Sequence, residues 1–284
     1  MSIKRVGIVG SGIMGSGIAE TAAASGFEVV LRSRSQNSAD ATVAGMEKSL
    51  NKQVDKGKKT ADERDAILAR VTATSDLGAL KGVDLVIESV IEDLAVKKVL
   101  FTELDRICGD DTILATNTST LPVVDLAMET GRPDKVCGVH FFNPAPVMSL
   151  VELVRPLTAS DETIAAVRHF AEACGKSPVE VKDQAGFIVN ALLFPYLNNA
   201  VRLHEQGVAS IADIDTAMKG GCGFPMGPFA LLDLVGLDTS LAILDALYDE
   251  FRDPNYAAMP LLRRMVAAEL LGRKSGQGFH NYRK

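Results

Sequence analysis

Residues Val6–Glu20, VGIVGSGIMGSGIAE, constrain this chain more than any other stretch. The apolar, β-branched run from Ile3 to Gly10 reads as a strand covered on both faces. It passes into Gly10, Ser11, Gly12, Ile13, Met14 and Gly15, and from about Ile13 to Ser25 the chain reads as a helix stopped by Gly26. Three glycines at this spacing, between a strand and a helix, form the turn that takes a dinucleotide pyrophosphate. The first permits the tight turn, the second lets phosphate approach the backbone, and the third allows helix and strand to pack closely. The helix N-terminus contributes unpaired N–H groups and a partial positive charge. These six residues are the expected cofactor-binding turn.

The second strand, Phe27–Leu31, sharpens the expectation about which cofactor. Such a strand usually ends on Asp or Glu, which bonds the adenosine ribose hydroxyls and repels a 2′-phosphate. Here it runs into Arg32, Ser33, Arg34 and Ser35. A hydroxyl between two cations removes the repulsion and offers charge-assisted contacts to phosphate. NADP(H) is the favoured cofactor on this reading, with NAD(H) the alternative.

The rest of the chain divides in two. Val43, Met46, Leu50 and Val54 form one apolar stripe of an amphipathic helix. Thr60 to Glu63 has capping-box spacing and opens a second helix carrying Ile67, Leu68 and Val71. Together they make a helical hairpin inserted into a sheet domain. Strands are then expected at Leu85–Val90, Thr112–Thr116, Lys135–Phe141, Leu150–Arg155 and Val179–Lys182, with helices near Leu94–Cys108, Val123–Glu129 and Asp161–Cys174. Short parallel strands with crossover helices imply a Rossmann-type, doubly wound α/β sheet. From Gly186 onward only helical patterns remain, so residues 1–184 are expected to form the dinucleotide-binding domain and residues 185–284 an all-α C-terminal domain.

Bulk properties bear on partners. A formal net charge of −6 argues against nucleic acid, and no apolar run is long enough to span a bilayer. The N-terminus moves directly into a strand without a signal-peptide pattern. Cys108, Cys137, Cys174 and Cys222 are scattered, which suits reduced, buried thiols in a cytoplasmic protein and no metal site.

The chemistry concentrates in GVHFFNPAPVMSLVEL, Gly138–Leu153. His140 ends a strand and Glu152 lies in the next; an imidazole held by a carboxylate is a natural proton donor and acceptor near neutral pH. The polar turn Asn117-Thr118-Ser119-Thr120 ends another strand, where ligands of such sheets gather.

These residues, with GSGIMGSGIA, LVIESVIEDLAVKK, LATNTSTLPV, GFIVNALLFPYLNNA, PMGPFALLDLVGLD and GRKSGQGFHNY, resemble the short-chain (S)-3-hydroxyacyl-CoA dehydrogenases over nearly the whole chain, most nearly the single-function bacterial 3-hydroxybutyryl-CoA branch. The resemblance implies that His140 exchanges the proton at the reacting oxygen and that Glu152 orients it. Ser119 and Asn190 would bond the reacting oxygen or the thioester side of the substrate. Glu92, Lys97, Asn117 and Lys274 match cofactor-side positions, while Ser49, Lys56 and Asn143 match the side that binds the acyl-CoA. It also implies a homodimer formed through the C-terminal domain, which would close the substrate cleft. The chain departs from the family at Ser33, generally Asp, at Thr120 of NTST, and at Phe224, where His often precedes Pro-Met-Gly-Pro. A broader, NAD-dependent 3-hydroxyacyl-CoA dehydrogenase is the nearest alternative. A free-acid dehydrogenase would use a catalytic lysine instead of the His–Glu pair.

Overall fold

A computed structural model describes residues 2–283. The chain divides into two compact units, the first ending at Asp183 and the second beginning at Gln184.

The first unit is built on one sheet of eight strands in the order β3-β2-β1-β4-β5-β6-β7-β8. Their ranges are β1 Arg5–Val9, β2 Glu28–Arg32, β3 Val71–Thr74, β4 Leu85–Glu88, β5 Ile113–Thr116, β6 Val136–Phe141, β7 Leu150–Arg155 and β8 Ser177–Lys182. The chain goes from β1 outward through β2 and β3, then returns to the other side of β1 with β4. That reversal puts the carboxyl ends of β1 and β4 at a topological switch point, where ligands of open α/β sheets bind. Helices α1 (Ile13–Ala24), α2 (Gln36–Asp55), α3 (Ala61–Ala69), α4 (Leu94–Ile107), α5 (Val123–Ala127) and α6 (Asp161–Ala173) connect the strands. Strands β4, β5 and β6 are buried along their whole length, including the polar Glu88, Thr116 and His140 at or near their carboxyl ends.

Three expectations are corrected. Val71 does not belong to the second hairpin helix: α3 ends at Ala69, Arg70 caps it, and Val71 begins β3. The i, i+4 spacing from Ile67 suits a helix, but the β-branched VTAT run pairs with β2 at the sheet edge, Val29 opposite Val71. The sheet is also not wholly parallel. β7 runs antiparallel to β6, His140 opposite Glu152. Residues 142–149 between them contain no helix, and a parallel return needs a crossover of a dozen or more residues. A third difference concerns the thiols: Cys108, Cys137 and Cys174 are buried, but Cys222 is exposed. Burial pushes the Cys137 thiol up to about 12 and those of Cys108 and Cys174 to about 11.

The hairpin is locally determined. Ser35 caps α2 by accepting from Ser38 N, and Thr60 and Glu63 form a reciprocal capping box at α3. Met46 and Leu50 of the apolar stripe are buried in the core with Ile18, Ala22 and Ile67. At the end of the unit, the Asp183 carboxylate accepts from Val123 N (2.9 Å) and Val124 N (2.7 Å) and so fixes the start of α5.

The second unit contains α7 (Val189–Glu205), α8 (Ile211–Cys222), α9 (Pro228–Val235), α10 (Leu237–Phe251) and α11 (Pro260–Ala267). Its own core includes Phe194, Leu197, Phe229, Leu232, Leu244 and Leu262. Its C-terminal segment is strapped down by Asp233, which accepts from Phe279 N, His280 N and the Tyr282 hydroxyl, and by His280 Nε2 to Asp215 at 2.9 Å. No described helix is long and apolar enough to cross a membrane.

Candidate active site

The glycine turn follows from packing. Gly10 has φ +123°, and a Cβ there would lie 2.3 Å from the Ser89 carbonyl oxygen at the end of β4. A Cβ on Gly15 would lie 2.0 Å from the carbonyl oxygen of Gly10. Gly12 differs: a Cβ would meet nothing within 4 Å. It is the N-cap of α1, with no side chain bonding the helix end. The first and third glycines therefore serve the protein's own packing, and the second leaves room over an uncapped helix N-terminus. This is the arrangement a dinucleotide pyrophosphate requires.

At the end of β2, Ser33 is buried, and its hydroxyl lies 2.7 Å from that of Ser11 in the glycine turn. Arg32 is half-buried with Nε donating to Ser75 O at 3.3 Å, and Arg34 is exposed. Beside this turn a cleft of about 650 Å³ runs between the start of α1, α2 and the loop Asn143–Pro146. Ser11, Gly12, Ile13, Ser49 and Asn143 all line it. Met14 turns away and packs against the core. Lys56 is not part of the lining. Seven residues beyond Ser49, it is the exposed C-cap of α2, so helical periodicity carries it past the end of the groove. Gln53, on the same face, turns its amide to Glu20 at 3.0 Å. Glu20 is buried at the cleft, and burial holds its carboxyl above the usual range against the lowering pull of Gln53.

The second cluster sits where β4, β5 and β6 end. The cross-strand pairing of β6 with β7 places His140 and Glu152 face to face, and His140 Nδ1 lies 2.8 Å from Glu152 Oε2. Glu152 is fully buried and His140 nearly so. His140 Nε2 lies 3.1 Å from the Ser119 hydroxyl, and the Phe142 ring packs on the imidazole at 4.6 Å between centroids. Asn117 Oδ1 accepts from Phe141 N at 2.8 Å, tying the turn after β5 to the end of β6. Glu92 Oε1 accepts from the Thr118 hydroxyl (2.5 Å), Ser119 N (2.8 Å) and Thr120 N (3.3 Å). Lys97 is buried, with its ammonium 2.7 Å from Glu88 and 3.4 Å from Glu92.

The cluster therefore unites His140, Glu152, Ser119, Asn117, Glu92 and Lys97. Asn190 and Lys274 belong to the second unit: Asn190 is buried in the first turn of α7, and Lys274 pairs with Asp238 at 2.5 Å. Glu88, Thr116 and Glu20 are not among the residues singled out from the sequence. The available signal was a charged residue closing the apolar strand LVIE, with a lysine nine positions on. The described residues contain no metal-binding group of three or more His, Cys, Asp or Glu.

Fold and site together define a nicotinamide-dinucleotide-binding oxidoreductase of the doubly wound α/β class, with a His–Glu pair at the strand ends. Residues 5–184 match the family described as 3-hydroxyacyl-CoA dehydrogenase, NAD binding domain, and residues 186–282 match its C-terminal domain. A 3-hydroxybutyryl-CoA dehydrogenase of Clostridioides difficile is 47% identical over 99% of this chain and 100% of its own. One from Mycobacterium tuberculosis is 48% identical, with 99% of both chains covered. The crystal structure of (S)-3-hydroxybutyryl-CoA dehydrogenase PaaH1 from Ralstonia eutropha superposes over 100% of both chains, with a TM-score of 0.97 and 44% identity. The chain belongs to the 3-hydroxyacyl-CoA dehydrogenase family.

Proposed function

We propose that this protein interconverts acetoacetyl-CoA and (S)-3-hydroxybutyryl-CoA, with His140 as the acid/base and NADP(H) as the preferred cofactor. The observation that carries the chemistry is the Ser119–His140–Glu152 chain, 3.1 Å and 2.8 Å between its links. The bound nicotinamide supplies the hydride chemistry. The glycine turn, Ser11 and Ser33 would hold its dinucleotide, with Glu92, Asn117 and Lys274 on the nicotinamide side. In reduction, His140 Nε2 delivers a proton to the keto oxygen; in oxidation it takes the proton from the hydroxyl. Glu152 keeps Nε2 aimed outward by holding Nδ1 and balances the imidazolium charge. Ser119 bonds the reacting oxygen or thioester, a role that the family resemblance also gives to Asn190. Ser49 and Asn143 line the groove assigned to the acyl-CoA, and Lys56 meets its phosphates at the rim.

The cofactor choice rests on the end of β2. Ser33 brings no charge to the ribose edge, Arg32 and Arg34 flank it, and α2 begins two residues after Arg34 with no acid in its first turn. That helix start adds positive potential where a 2′-phosphate would lie. The family's description as NAD-binding favours a second reading, in which the same chemistry runs on NADH.

The domain roles extend the proposal: residues 1–184 bind nucleotide, and residues 185–284 close the substrate cleft and form a homodimer in the cytoplasm. Purified protein with acetoacetyl-CoA should oxidise NADPH much faster than NADH, and equal or better rates with NADH would defeat the NADP assignment. His140→Gln should lower kcat by about 10²–10⁴-fold, the usual contribution of a positioned acid/base. An unchanged kcat would remove His140 from the mechanism.

A further inference from the structure

The carboxylate of Glu88 accepts four hydrogen bonds, and the reaction as described gives it no role. It is the last residue of β4 and is fully buried. Its Oε1 accepts from Val90 N at 2.6 Å and from Lys97 Nζ at 2.7 Å. Its Oε2 accepts from Lys97 Nζ at 2.9 Å and from the Thr116 hydroxyl at 2.7 Å. Its backbone carbonyl takes Asn117 N at 2.8 Å.

Apart from the local bond from Val90 N, these contacts lead toward residues 117–120, a stretch outside regular secondary structure. One route is neutral: Thr116, bonded to Glu88, accepts from Thr118 N at 3.3 Å. The other is charged: Lys97 bridges Glu88 to Glu92 Oε2 at 3.4 Å, and Glu92 Oε1 holds Thr118, Ser119 and Thr120. The charged route reaches Ser119 N and the neutral one its neighbour Thr118, so both bear on the position of Ser119, whose hydroxyl meets His140 Nε2.

Stability alone is a poor reason for this arrangement. Removing a carboxylate and an ammonium from water costs about as much as their attraction returns, and an apolar pair of similar volume often does as well. What the charges do provide is direction, because the buried, bonded Glu88–Lys97 pair has one low-energy arrangement and from it Lys97 reaches the exposed Glu92. We infer that Glu88 is a positioning residue of the reaction: through Lys97–Glu92 and through Thr116 it sets the place of the Ser119 hydroxyl against His140. This rests on the roles given to Ser119 and His140 under Proposed function.

The test combines kinetics with a probe that needs no turnover. Glu88→Gln should lower kcat by about tenfold to a hundredfold, the effect of misplacing a reacting group by an ångström or less. KM for acetoacetyl-CoA should stay within about threefold, because binding is not the step affected. In a Ser119→Ala background the same change should cost less than about threefold, since coupled residues are not additive. A full additional loss there, or a loss in KM alone, overturns the inference. Replacing both charges, Glu88→Leu with Lys97→Met, should restore the melting temperature without restoring kcat. Wild-type kcat in that variant would make the role merely structural and overturn it. Should Glu88→Gln not fold, Thr116→Val cuts only the neutral route and should still lower kcat several-fold; wild-type kcat there counts against the inference. In protein labelled with ¹⁵N at its four histidines, the His140 Nε2 resonance should move in Glu88→Gln or Thr116→Val, and an unmoved resonance overturns the inference without any assay. Failure of the functional reading has a different signature, namely normal kcat in His140→Gln and Ser119→Ala.

Discussion

The two polar regions at the carboxyl edge of the sheet are built in opposite ways. Around His140 most polar groups are buried and bonded: Glu152, fully enclosed, holds His140, and Glu88, also fully enclosed, holds Lys97, which is 1% exposed; Glu92 alone of the carboxylates there is open to solvent. Around Ser33 and the cleft, the contacts are a hydroxyl on a hydroxyl, two arginines at least partly in solvent, and one carboxyl that burial disfavours. The first region fixes geometry at the cost of desolvating charges. The second commits little, so a single substitution there alters which ligand fits without disturbing what lies beneath. Under the proposed function, reaction type and cofactor choice are thus separated in space and in how tightly their groups are bonded.

The largest expected effect falls on the rigid side. Glu152→Gln keeps the shape at Nδ1 but removes the charge that balances an imidazolium. Turnover should fall by about 10²-fold or more, within the range for general acid–base assistance, with a smaller change in KM. A loss confined to KM would show that the pair binds substrate without exchanging protons, and the contrast between the regions would lose its chemical basis.

The next effect is on the more lightly bonded side. Ser33→Asp restores a carboxylate at the ribose edge. It should shift the ratio of NADPH to NADH efficiency toward NADH by about tenfold or more, the effect of roughly 1.5 kcal/mol for one hydrogen bond to a charged group. The melting temperature should hardly move, because Ser33 contributes one hydroxyl contact. An unchanged ratio would place the determinant elsewhere, with Arg32 and Arg34 the next residues to replace.

How much of this was legible follows the same division between local and tertiary causes. The glycine turn can be read from the sequence because each glycine answers a local demand, a positive φ at Gly10 and a backbone contact at Gly15. His140 and Glu152 can be read because both lie in one short segment whose strands pair directly. The direction of β7 was not legible from strand propensity; it depends on the loop at residues 142–149 being too short to carry a crossover helix. Val71 was misread because its spacing suits a helix, while its pairing with Val29 lies more than forty positions away in sequence. Lys56 matches the acyl-CoA side only by resemblance, while the face of α2 that lines the cleft reaches as far as Ser49. Glu88 and Glu20 look like ordinary charged residues in the sequence, and only the packed sheet shows that they are buried.

The smallest effect has the opposite sign and concerns Glu20. Burial raises its carboxyl above the usual range in the folded protein, so the folded state holds this proton more tightly than the unfolded chain does. Its favourable contribution is therefore complete below the unfolded value and is lost as pH rises through the folded one. At neutral and alkaline pH the charged form is a liability. Glu20→Gln keeps a bond to the Gln53 amide without the charge, and it should raise the melting temperature at pH 8 by on the order of 1–2 °C. At pH 4, where the wild-type carboxyl is already largely protonated when folded, the gain should shrink toward zero. Melting curves of the two proteins at both pH values check this. A gain equal at both pH values would trace to packing instead of charge, and a loss at pH 8 would mean that the Glu20 charge is answered in the cleft as fully as the charges behind Ser119.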